Sequence, residues 1–316
     1  MDGQLMRARA SVALSLAAVA ACVLAVGFSA ASFTDTSQSS LTVSAAADWL
    51  PPTVEASEIV KSQGGVVGNI KPEGTYYVYA NVSESGNPPS DIASVSADVS
   101  KITPGQTAVS LVAGSYVAGG VAYNYRSAEK LAASGSLSAG SKTYILAFAD
   151  SAGHSDSESF SVTVIKTAFE ATGFETNNVS GGTSGKPEKG DTVVYKFNRT
   201  PDPGSIVSEW DGSGTKSVTV TITENAASDL LTVSGAAIGS VALGGDFTEG
   251  NATAFTGSSV AMGSSKVTVT FGTSSGGAKT NTEKFKPAWT PLASLYDAAA
   301  NPCLSAAVTG SNAKQF

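Results

Sequence analysis

Val95-Ser96-Ala97-Asp98-Val99, Val121-Ala122-Tyr123-Asn124-Tyr125 and Phe160-Ser161-Val162-Thr163-Val164 all return to a nonpolar side chain at every second residue. That period sends alternate side chains to opposite faces of an extended strand, one face toward a core and one toward water. Thr75 to Val82, Thr107 to Val112 and Thr143 to Ala149 read as further strands, with Gly, Pro, Asn and Asp between them as turn chemistry. Helical periodicity is nearly absent, and Ser127 to Ala133 is the one place where a helical turn is expected.

Working outward, about seven short strands over residues 52–167 predict an immunoglobulin-like β-sandwich. Gly173, Gly181, Gly182, Gly185 and Pro187 mark residues 168–186 as a linker. Strands resume at Val193 to Phe197 and continue through Val218, Val220 and Ile222, Leu230 to Val233, Ile238 to Leu243, and Val267, Val269 and Phe271. Residues 187–310 therefore read as a second sandwich, and 311–316 as a C-terminal tail. The fold expectation is all-β, with two tandem immunoglobulin-like sandwiches behind a cleaved signal peptide.

The signal peptide is residues 1–31. Arg7 and Arg9 precede an uncharged run from Ala10 to Val26, and Ser29-Ala30-Ala31 supplies a small-residue exit. Val19-Ala20-Ala21-Cys22 matches a lipobox, but Val23-Leu24-Ala25-Val26 continues the apolar run where a polar tether should begin. Cleavage near Ala31 versus lipidation of Cys22 stays open at this point. Removing residues 1–31 also removes Cys22, which leaves Cys303 without an intramolecular disulfide partner. Residues 32–51 follow as a Ser/Thr-rich linker or a donor strand. Leu41 and Val43 have the spacing of one strand face, which would allow self-association through residues 32–47.

Composition narrows the function classes. Of 316 residues, 26 are acidic and 19 basic, giving a net charge of -7, and 42% are hydrophobic. Each half can bury a core, and no basic stripe exists for nucleic-acid phosphates. Membrane contact is expected only through the signal segment before its removal. One His and two Cys exclude the usual structural zinc sets.

Two groups of residues resemble known families. Gly190-Asp191-Thr192-Val193-Val194-Tyr195-Lys196-Phe197, followed by Pro201-Asp202-Pro203-Gly204, resembles the opening of bacterial Ig-like domains. Asp150-Ser151-Ala152-Gly153-His154 and Asp297-Ala298-Ala299-Ala300-Asn301 resemble the Asp-x-Ala-Gly-Asn turn before the last strand of such domains, with His154 in place of Asn and Ala300 in place of Gly. The resemblance implies an exported surface protein, of actinobacterial type given the Ala-rich signal, and implies no reaction. Ala31-Ser32-Phe33-Thr34-Asp35-Thr36 is similar to the mature start of biofilm-matrix proteins of the TasA and camelysin type. That likeness implies a fibre subunit joined by donor-strand exchange.

Few residues offer chemistry. One reading makes His154 a base oriented by Asp150, but no nucleophile or oxyanion motif accompanies it, so no catalytic residue and no cofactor are assigned. Asp150, Asp156 and Glu158 are candidate calcium ligands, being hard oxygen donors near a sandwich-end turn. Trp210 and Trp289 are candidate sugar-stacking rings in loops or strand ends. The expected function is a non-enzymatic, secreted or cell-surface structural or adhesive protein whose partners are other surface proteins or polysaccharides. A carbohydrate-binding accessory and a matrix-fibre subunit stand as alternatives.

Overall fold

The computed structural model of the chain describes residues 48–62, 65–86 and 88–316. The signal peptide, Cys22 and residues 32–47 lie outside the described residues. The remainder is almost entirely β and forms two curled sheets, each closing on its own core.

The first sandwich contains β1 (Thr53–Lys61), β2 (Asn69–Ile70), β3 (Thr75–Ser83), β4 (Ile92–Asp98), β5 (Val109–Ala118), β6 (Val121–Ser127), β7 (Leu131–Ala132), β8 (Gly140–Asp150) and β9 (Ser155–Val164). The order is β1-β3-β6-β5-β4-β8-β9-β2, with β7 on β3. β5 links the two leaves, because Val109 and Ser110 pair with β4 while later residues pair with β6. Alternation sets the core: Tyr76, Val78, Ala80 and Val82 of β3 share it with Tyr144, Leu146 and Phe148 of β8 and Val162 and Val164 of β9.

Two local expectations are corrected here. Ser127 to Ala133 contains no helical turn: the Ser127 hydroxyl accepts from Val78 N and donates to the Glu129 carbonyl, and Leu131 then pairs with Tyr76 as β7. Tyr123 and Tyr125 also do not share a core. Gly114 and Ser115 of β5 stand against Asn124 alone on β6, and such a bulge bends a hairpin. Beyond it Tyr123 joins a satellite cluster with Tyr79 and Ala118, while Tyr125 stays with the main core.

The second sandwich contains β10 (Phe169–Asn177), β11 (Thr192–Phe197), the short helix α1 (Pro203–Ile206), β12 (Thr215–Thr223), β13 (Leu230–Ser234), β14 (Ser240–Ala242), β15 (Thr253–Met262), β16 (Lys266–Thr270), β17 (Thr273–Ser274), β18 (Ala288–Thr290), β19 (Cys303–Leu304) and β20 (Val308–Thr309). Its order is β19-β10-β11-β16-β15-β12-β13-β14-β18-β20, with β17 on β15. Residues 168–186 are therefore not simply a linker. β10 pairs antiparallel with β11, and Phe169 and Phe174 enter the core on either side of a register shift at Gly173. The segment 311–316 is not a free tail either, since Phe316 is buried against Phe247 and Phe271.

Candidate functional site

The two sandwiches meet through a polar joint built from charged side chains and backbone carbonyls. Lys61, the last residue of β1, donates from Nζ to the carbonyls of Val66 at 2.5 Å, Asn69 at 2.7 Å and Ala298 at 2.7 Å. An ammonium has three donors, so these acceptors use all of them. Two acceptors lie in the first sandwich and one in the second. Burial lowers the Lys61 pKa to about 8, although Asp202 and Asp297 pull it back toward the charged form.

Three more bonds cross the joint. Val66 N donates to Ala298 O at 3.0 Å, Lys71 Nζ to Ala300 O at 3.0 Å, and Gly65 N to Asp202 Oδ2 at 2.5 Å. Asp202 is also the N-cap of α1, accepting from Gly204 N through its other oxygen at 3.1 Å. The connecting strand is strapped in place: Arg199 donates to Thr167 O and Ala168 O and pairs with Asp297, whose side chain is fully buried. Asn301 Nδ2 reaches Ile165 O at 3.2 Å. A cleft of about 480 Å³ lies beside these contacts, lined by Lys61, Lys71, Glu73, Tyr296 and Ala300 among others.

The turn that enters the joint is Asp297 to Asn301. Asp297 Oδ1 accepts from Ala299 N and Asn301 N, both at 2.9 Å, and Asn301 Nδ2 donates back to Asp297 Oδ2 at 2.9 Å. Asp150 to His154, at the far end of the first sandwich, repeats this arrangement. Asp150 Oδ1 accepts from His154 N at 2.8 Å, and His154 Nδ1 lies 3.1 Å from Asp150 Oδ2. His154 thus stands where Asn301 stands, holding a turn. Burial opposes ionisation of Asp150, yet its bonds from His154 and Gly153 leave the carboxyl below its ordinary value.

The structure separates the expected calcium ligands. Asp150 is buried in its turn, whereas Asp156 and Glu158 are exposed on β9. The side chains that approach Asp150 are His154 and Asp48, and Asp48 already accepts from Ser90 and Leu50. Glu224, Asp229 and Asp246 also converge, but their oxygens take Thr248 Oγ1, Phe247 N and the Lys279 ammonium.

The expected sugar-stacking rings are corrected. Trp210 and Trp289 are 3% and 0% exposed and belong to the second core. Trp289 packs edge-on to Tyr195 and Phe197, with its N–H on Ile238 O at 2.9 Å. Trp210 donates to Ser213 O at 2.9 Å. A ring buried in this way has no face left for a sugar.

Lys61 and Lys71 were not among the candidates from sequence, although a signal was present. Gly64-Gly65-Val66-Val67-Gly68-Asn69-Ile70-Lys71-Pro72-Glu73 before β3 parallels Gly181-Gly182-Thr183-Ser184-Gly185-Lys186-Pro187-Glu188 before β11. The strands agree as well, since Ser62 and Asn177 bond side chain to side chain with Thr75 and Thr192 in the same register. The two loops share these residues with a two-residue offset.

No protein-family model and no curated protein match the chain. Among solved structures, the chain is similar to the C-terminal domain of the Streptococcus agalactiae AgI/II polypeptide BspA, at 12% identity and a TM-score of 0.20, covering 83% of this chain and 98% of that one. A second structure, BspA_C_mut, gives 11% identity and the same TM-score, covering 83% and 97%. Overlap this low carries no argument about function.

Proposed function

We propose that the chain is a non-enzymatic, exported structural or adhesive protein of the cell surface, in which two stacked sandwiches act as a stiff spacer. The observation that carries this reading is the joint. Lys61, Lys71, Val66 and Gly65 fix the first sandwich to a turn and a helix cap of the second, where a flexible linker would leave the domains free to swing. A sparsely charged composition of 14% and an apolar N-terminus with a small-residue exit support export. Its partners in this reading are other surface proteins or polysaccharides.

A second reading, strand donation by residues 32–47, gains from one feature. β9 pairs with β2 only at Thr163 and Val164, so its edge from Ser155 to Val162 has no partner on that side among the described residues. However, Asp156 and Glu158 stand exposed along this edge, and charged side chains at an edge oppose strand addition. The spacer reading is therefore preferred.

The test is protease shaving of intact producing cells, with deletion of the gene. The expected result is release of fragments from residues 48–316 by the protease, together with loss of surface attachment in the deletion. Recovery of the protein only inside the cells would overturn the reading.

A further inference from the structure

The joint is built from two elements, and the chain carries a second copy of each. One element is the base loop Gly65 to Glu73, and the other is the turn Asp297 to Asn301 that sits against it. The second base loop, Gly181 to Glu188, lies at the opposite end of the second sandwich, because β10 runs away from the joint and β11 returns toward it. The second turn, Asp150 to His154, lies at the opposite end of the first sandwich, where β8 turns into β9. Within the described residues neither meets an element of the other kind, although Gly185 of the second loop donates to Phe316 O at 2.9 Å and accepts from Asn281 N at 2.7 Å.

Both are open to solvent. Ser151, Ala152 and Gly153 are exposed, as are Ser180, Gly181 and Thr183. A cleft of about 610 Å³ lies at the second base loop, lined by Val179, Gly182, Lys186 and Glu188 among others, and Asn178 beside it has a buried Oδ1 with no donor. Lys186 corresponds to Lys71, and its ammonium is held only by Glu188 at 4.0 Å. Ser151 and Gly153 correspond to Ala298 and Ala300, whose carbonyls take the Lys61, Val66 and Lys71 donors.

We propose that the Asp150 to His154 turn of one copy docks on the Gly181 to Glu188 loop of the next, repeating between chains the contact that joins the sandwiches within one chain. Lys186 donates to the Gly153 carbonyl of the neighbour, while Thr183 N–H, the counterpart of Val66 N–H, stays on Glu188 Oε2 at 2.7 Å. The contact uses different surfaces on the two partners, so it does not close on itself and extends head to tail into a filament. A second part of the template is missing as well: Thr176 occupies the position of Lys61 and bonds to Gln315, so this contact is weaker than the internal joint. The proposal rests on the structural reading above and names its partner as a second copy.

The test uses the chain from Ser32 to Phe316 with single cysteines. Ser151→Cys and Thr183→Cys proteins are prepared separately, mixed at high concentration and oxidised, with Cys303 buried and out of reach. A disulfide-linked heterodimer from the mixture, and a ladder from the double variant, is the expected outcome. Lys186→Ala should weaken self-association about tenfold, as loss of a charge-assisted bond does. A chain starting at Asp48 should assemble equally well. Three results would overturn the proposal: no cross-link at any concentration, cross-linking of Ser151→Cys only to itself, or assembly confined to the longer chain, which would indicate strand donation. Surface shaving is independent of all three, so a monomeric spacer remains distinguishable from a failed surface assignment.

Discussion

Replacing Lys61 by Met tests whether the joint holds a charged amine at a cost. The ordinary lysine value of 10.5 applies to the unfolded chain, and burial brings the folded value to about 8. Between those values the unfolded state binds more protons than the folded state, so stability rises with pH across that window. At about 1.4 kcal/mol for each tenfold change in proton affinity, the charged form costs about 3 kcal/mol below pH 8, a cost lost as pH rises through 10.5. Methionine removes this cost but leaves the Val66, Asn69 and Ala298 carbonyls without their donor, each worth about 1 kcal/mol. The two effects nearly cancel near neutrality, so the variant should unfold close to the wild type at pH 7. Urea titrations of both proteins from pH 7 to pH 10.5 would follow the difference, in which all other ionisations cancel. The wild type should gain about 3 kcal/mol on the variant over that range. A difference that stays flat with pH would show that Lys61 is solvated and that the joint is looser than described.

Other outcomes follow from single positions. Ala300 sits at φ 62°, a left-handed conformation that favours glycine, so Ala300→Gly should raise stability by about 0.5–1 kcal/mol, and Gly153→Ala at φ 98° should lower it by at least as much, both read by chemical denaturation. Trp289→Ala should cost about 3–5 kcal/mol and melt the second sandwich first, seen as loss of near-ultraviolet dichroism. Because Asp156 and Glu158 stand apart from Asp150, adding calcium or a chelator should leave the thermal midpoint unchanged, and a clear calcium-dependent rise would restore a site there. N-terminal sequencing of exported material should begin near Ser32.

Strand content was legible because alternation is a local property: β3, β8, β9, β11, β12 and β16 all fall where apolar residues recur at every second position. β15 was missed because Gly257-Ser258-Ser259 interrupts its apolar face, where the ladder to β12 shifts register between Phe255 and Ser258 and the ladder to β16 begins at Ser259. β10 was hidden for a similar reason, its glycine being a register shift inside a strand and not a linker. The tryptophans misled because turn residues beside them, Asp211-Gly212 and Pro287, suggested loops, while burial depends on partners distant in sequence such as Tyr195 and Ile238. The joint was the least legible part. Lys61 looks like any strand-end lysine until the fold brings Ala298, 237 residues away, against it. The repeated Gly-Gly and Lys-Pro-Glu spacing was the one local clue.

The seam between β3 and β6 has a consequence for how this protein can be produced. Backbone pairing there covers only Tyr79 with Arg126 and Ala80 with Tyr125. Farther along, two amides stand in for the ladder: Asn81 Nδ2 donates to Ala122 O at 2.8 Å and its Oδ1 accepts from Asn124 N, while Asn124 bonds both the N–H and the carbonyl of Val82. Asn81-Val82-Ser83 is also an acceptor sequence for N-linked glycans. In a eukaryotic secretory host the sugar would be attached to the nascent chain before β6 emerges, replacing one Nδ2 hydrogen and placing its bulk at the seam that later closes. Material made in yeast or mammalian cells would therefore close this hairpin against a bulky substituent, and Asn81→Gln would remove the glycan but shift both bonds through its longer side chain.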